Sequence, residues 1–63
     1  MYELIIIDTK TKQTIVYYNL CREEITPIIE VTLKTHYLNC YVVNFQNEKV
    51  KGYDFINGLE RGK

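Results

Sequence analysis

Tryptophan, alanine and serine are absent from this 63-residue chain, and cysteine, histidine and proline occur only twice, once and once. These gaps remove whole classes of chemistry. Cys21, Cys40 and His36 do not reach the four ligands of a structural zinc site, and two widely separated cysteines make no disulfide framework. Gly52, Gly58 and Gly62 do not precede a helix at the spacing of a phosphate-binding loop, so no nucleotide site is indicated. A surplus of one charge is missing too: eight Lys plus Arg balance eight Asp plus Glu. The electrostatic footprint of a non-specific nucleic-acid binder is therefore lacking. No apolar run approaches a membrane span, and Met1 to Asp8 has neither the basic flank nor the apolar length of a secretory signal. The expected compartment is the cytoplasm, with both cysteines kept as thiols. Repeats, linkers and low-complexity stretches are not found.

What the chain has in excess is apolar strand. Tyr2 to Ile7, Ile15 to Tyr18 and Tyr37 to Phe45 are apolar or aromatic at odd and even positions alike, whereas a half-buried strand alternates. Both faces of such a sheet call for cover. A domain of this size buries only about 60% of the surface its unfolded chain exposes, and small domains add disulfides, a metal or self-association. With the first two missing, association is the device that remains.

The polar block Asp8 to Gln13 between two apolar runs reads as a hairpin connection. Placing Asp8 opposite Gln13 sets Ile6 against Ile15, Leu4 against Tyr17 and Ile5 against Val16. Tyr2, Leu4, Ile6, Ile15 and Tyr17 then share one purely apolar face, expected to be the core face. Glu3, Ile5, Ile7, Thr14, Val16 and Tyr18 share the other.

From Arg22 to about Thr35 the period changes, with Ile25, Ile28, Ile29, Thr32, Leu33 and His36 at helical spacing. Glu23 and Glu24 come early, as the helix dipole favours, and His36 is expected near the last carbonyls. Pro27 suits only a first turn, so the regular helix is expected to start with Thr26 as N-cap and Pro27 at its first position. A second strand pair follows, Tyr37 to Phe45 returning as Val50 to Phe55 around Gln46 to Lys49. Opposing Gln46 to Lys49 pairs Phe45 with Val50 and Val42 with Tyr53. Gly52 and Asp54 make the return the weaker strand.

The expected fold is α+β, a two-layer ββαββ arrangement with an antiparallel sheet and one helix packed on one face. The third strand lies beside the first, and the second and fourth form the edges. One domain covers 1–58, and 59–63 form a flexible C-terminal tail.

Few side chains suggest catalysis. His36 and Cys40 stand four apart, but the pattern breaks to strand between them. Cys40 with His36 and Asp54 carries no local signature of a nucleophilic site. Glu23 and Glu24 are neighbours on a helix, point about 100° apart and cannot bracket one bond. Both cysteines read as buried thiols. The chain is accordingly not read as an enzyme, and no cofactor, metal or small-molecule substrate is expected.

Six tyrosines are the unusual set, since tyrosine suits interfaces with one end apolar and the other polar. Because cysteine is among the most buried residue types, the Cys40 face goes to the helix. The open, protein-binding face is then Ile5, Ile7, Val16, Tyr18, Tyr41, Val43 and Phe45. Its expected partner is another protein or a second copy as a homodimer. The alternative is a nucleic-acid-binding accessory protein that stacks bases on the aromatic face, a mode that also wants a basic groove.

Ile, Lys, Asn, Tyr and Phe, all encoded by A/T-rich codons, fill 27 positions. In this bias, its size and its strand-helix-strand layout the chain resembles the small accessory proteins of phages and mobile elements in A/T-rich bacteria. That resemblance implies a protein that binds and blocks or modulates another, as inhibitors of host defence, anti-CRISPR proteins among them, do.

Overall fold

Asp8 builds the first hairpin. Its carboxylate accepts the backbone N–H groups of Lys10 (2.9 Å) and Thr11 (3.1 Å), and Lys12, at φ 65°, donates its own to the Asp8 carbonyl. The loop joins β1 (Tyr2–Asp8) to β2 (Gln13–Leu20), followed by α1 (Arg22–Leu33), β3 (Leu38–Val43), β4 (Lys49–Lys51) and α2 (Gly52–Ile56). The computed structural model describes residues 1–58; the expected tail, 59–63, lies outside them. The sheet runs β2-β1-β3-β4 with every neighbour antiparallel, so the fold is α+β. Its order is ββαββα, with two helices where one was expected.

Between β1 and β2 the pairing is Asp8 with Gln13, Ile6 with Ile15, Ile5 with Val16 and Leu4 with Tyr17, the register read from the sequence. It shifts beyond Tyr17. Tyr2 pairs with Leu20, so two residues of β2 oppose one of β1, and Asn19 takes φ 60° there. This bulge turns Leu20 back to the core side, where it packs on the buried cluster.

Helix α1 begins earlier than the proline suggested. Cys21 is the N-cap; its N–H donates to the Glu24 carboxylate at 2.9 Å, and its carbonyl accepts from Glu24 and Ile25. Pro27 therefore lies inside the helix, exposed, and removes the N–H that would bond the Glu23 carbonyl. Complete burial of Ile25 offsets that loss, because Ile25 and Ile29 each contribute about 1.5–3 kcal/mol by leaving water. Thr32 completes the buried stripe, its hydroxyl donating to the Ile28 carbonyl at 2.8 Å. Leu33 is 38% exposed and belongs to the edge of the stripe, not its centre. His36 is exposed, two residues past the C-cap Lys34, and does not cap the helix.

The second half departs most from expectation. Asn44 closes the β3–β4 loop: its side-chain oxygen accepts the N–H groups of Gln46 and Glu48, both at 2.9 Å, and its amide donates to the Glu48 carboxylate. Its backbone N–H bonds the Glu48 carbonyl, leaving Phe45, Gln46 and Asn47 as a three-residue loop with Asn47 at φ 68°. Val42 thus faces Val50, and Val43 faces Lys49, three residues away from the expected register. Val50 turns inward and is buried. The strand then stops at Lys51 and the chain coils into α2, so Tyr53 and Phe55 are helical. Phe55 is buried, with its ring edge-on to Tyr2 at 5.1 Å, and Tyr53 is exposed. At Gly52 a Cβ would collide with the Cys40 sulfur, so close packing, not strand weakness, explains this glycine.

Leu4, Cys40, Val42 and Val50 from one sheet face meet Ile25, Ile29 and Phe55 in a single core. Both helices therefore cover the face that carries Cys40.

Candidate functional site

On the other face the ladder sets side chains in rows. Val16, Ile5, Tyr41 and Lys51 lie side by side across all four strands, and Glu3, Val43 and Lys49 form the next row across three. Ile7 sits between Thr14 and Asn39 towards the hairpin end. No helix of the described residues packs on this side. Ile5, Ile7, Tyr41 and Val43 are half-buried only by one another, Val16 is more open and Tyr18 is 63% exposed.

Six of the seven expected contact residues, Ile5, Ile7, Val16, Tyr18, Tyr41 and Val43, thus share one continuous face. Phe45 does not. With β3 ending at Val43, Phe45 sits in the Asn44 loop, 81% exposed, beside a shallow pocket of about 230 Å³ that also touches Met1, Glu3, Asn19 and Val43. It flanks the end of the face.

Glu3 stands within the face beside Val43, and lysines fringe it at the β4 edge. Lys49 places its Nζ 4.6 Å from the centre of the Tyr41 ring, a cation–π contact, and Lys51 lies in the same row as Tyr41. Lys10 makes the same contact with Tyr37, 4.5 Å away, at the hairpin end.

The structure also uncovers apolar groups that the sequence had assigned to the core. Ile15 and Tyr17 point to the helix side, yet are 50% and 44% exposed. A helix is about 10 Å wide and strands lie about 4.8 Å apart, so one helix roofs about two strands. Here α1 lies over β1 and β3, and α2 over β3 and β4. Among the described residues, β2 is exposed on both faces up to Leu20, which packs on the core cluster. Comparing helix width with strand count was the signal in the sequence that points to Ile15 and Tyr17.

The candidate chemical groups are scattered. Cys40 is buried on the core side of β3, His36 lies in the turn before that strand, Asp54 is in α2 and Cys21 is the half-buried N-cap of α1. Cys21 is thus less buried than expected. Among the described residues no three His, Cys, Asp or Glu side chains gather as metal ligands would. Burial pushes the Cys40 thiol up, which holds it in the unreactive protonated form. The Cys21 N–H bonded to Glu24 holds that carboxyl below its ordinary value. Among the described residues no helix is long and apolar enough to cross a membrane. Comparison with protein-family models, with curated proteins and with solved structures finds no match for the chain.

Proposed function

We propose that this chain is a small non-enzymatic protein-interaction module, a cytoplasmic accessory protein of a phage or mobile element that binds and blocks or modulates another protein, such as a host-defence component. One observation carries this: the Ile5, Val16, Tyr41 and Val43 face is apolar, continuous and roofed by no helix, and single domains rarely leave such patches without a partner. Lys49 over Tyr41 occupies a ring face that a stacked base would need, which weighs against the nucleic-acid alternative.

Tagged wild type and Val43→Glu, carried through affinity capture from a bacterial lysate, test the proposal. Wild type is expected to retain one stoichiometric protein through the open face; Val43→Glu keeps its far-UV circular dichroism and loses it. A wild type that captures nothing, stays monomeric and is unaffected by Val43→Glu refutes the interaction module. Nucleic acid that co-purifies and is lost at high salt favours the alternative.

A further inference from the structure

We propose that a second copy of the chain docks edge to edge along β2, joining two four-stranded sheets into one of eight strands. This rests on the reading of the chain as an interaction module and adds self-association along an edge separate from the open face. Strand β2, Gln13–Leu20, is eight residues long, forms one edge of the sheet and contains no Lys, Arg, Asp, Glu or Pro. Those residues are the usual means of keeping an edge from pairing, and β2 has none along its length. The outward N–H and C=O groups of such an edge, otherwise left to water, are a ready template for another strand.

The strand is complementary to itself. A twofold axis perpendicular to the sheet makes the pairing antiparallel, keeps the helices of both copies on one side and sets residues of equal parity opposite each other. Centred on Val16, it places Val16 against Val16 of the other copy, Ile15 against Tyr17 and Thr14 against Tyr18. Aromatic and β-branched residues make favourable cross-strand pairs, and an uncharged strand brings no like charges together. Ile15 and Tyr17, which no helix roofs, would fill the trough between the two copies of α1, while the two open faces merge into one. The bulge at Asn19 ends the regular stretch and limits the pairing to the residues before it.

Size sets the strength. The exposed parts of Ile15, Val16, Tyr17 and Tyr18 amount to on the order of 400 Å² per copy, roughly 800 Å² in all, less than the ~1,000 Å² that a stable specific interface clears. The dimer is accordingly weak and reversible.

Sedimentation velocity from about 1 to 500 µM, a span in which weak self-association shows as a rising sedimentation coefficient, reads the equilibrium. Ile15→Lys with Tyr17→Lys sets lysines against each other at the two outer pairs, and Ile15→Glu with Tyr17→Glu does the same with carboxylates. Both sites are on the helix side, away from the open face, and both are solvent-accessible. Each variant alone is expected to remain monomeric, and an equimolar mixture to regain a dimer through Lys–Glu pairs. A wild type that is monomeric throughout overturns the proposal, as does a lysine variant that dimerises like wild type. If Val43→Glu abolishes the dimer while the lysine variant keeps it, the copies meet through the open face; the edge proposal then fails and the interaction module stands.

Discussion

At one edge of the sheet, β4 spans three residues, two of them lysines, and turns at once into α2; at the other, β2 spans eight residues without a charge. Phe55 tucks under the first edge and Gly52 lets the chain approach Cys40 there. Nothing comparable closes the second. The core row makes the contrast visible: Val50, Val42 and Leu4 are buried, whereas Tyr17, next in the row, is not. Burial runs out one strand before the sheet does. A short chain has thus spent its two helices on three strands, and the fourth is held by backbone pairing to β1 and by Leu20 at its end.

The closed edge is the place to look for large losses. Phe55→Ala is expected to remove about 3–5 kcal/mol, measured by urea denaturation. A domain of this length has a total of about 3–9 kcal/mol, so the variant is expected to lose at least about a third of its stability. Gly52→Ala follows, at about 1–3 kcal/mol, because the new methyl overlaps the Cys40 sulfur and meets the Cys40 carbonyl and Ile29 at 3.3 Å. Adding Cys40→Ala to Gly52→Ala should recover part of that loss, a non-additivity that a double-mutant cycle reads directly.

Glu24 supplies a pH-dependent term. The Cys21 N–H lowers its folded pKa, so its stabilisation is full above the ordinary glutamate value and disappears as pH falls through the lower folded value. Glu24→Gln should flatten the acid limb of a stability–pH curve; an unchanged limb would remove Glu24 from the cap. On the open edge, by contrast, Tyr18→Lys should leave stability within about 0.5 kcal/mol of wild type. A larger loss would show that β2 is supported by more than its pairing to β1 and Leu20 at its end.

How far the sequence could be read differs between the same two halves. Between β1 and β2 the polar block is unambiguous and sharply bounded by apolar runs, so the pairing of Asp8 with Gln13 and of Leu4 with Tyr17 was legible. Asn19 escaped, because an αL asparagine in a strand looks like any other polar residue until the bulge is seen, and Ile15 and Tyr17, expected in the core, are half-exposed. In β3 and β4 the register depended on one side chain. Asn44 gathers two N–H groups and closes a three-residue loop, which a count of turn-forming residues around Gln46 to Lys49 does not disclose. The shift of three sent Val50 into the core, removed Phe45 from the open face and left too little strand to include Tyr53 and Phe55. Pro27 misled for a related reason: a proline rule is local, and the requirement to bury Ile25 is tertiary. Six residues of the candidate face survived these errors because β1, β2 and β3 supply them, and the identity of the core face was settled correctly by the cysteine on β3.

Val42 and Val43 are neighbours that point to opposite faces, and Glu at each in turn tests most directly whether the apolar face lies outside the core. Urea denaturation followed by far-UV circular dichroism is the measurement. Val42→Glu buries a charge among Leu4, Ile29 and Phe55 and is expected to be unfolded without denaturant, whereas Val43→Glu should unfold within about 0.5 kcal/mol of wild type. A Val43→Glu variant as unstable as Val42→Glu would contradict the account, because the face proposed to bind a partner would then be core.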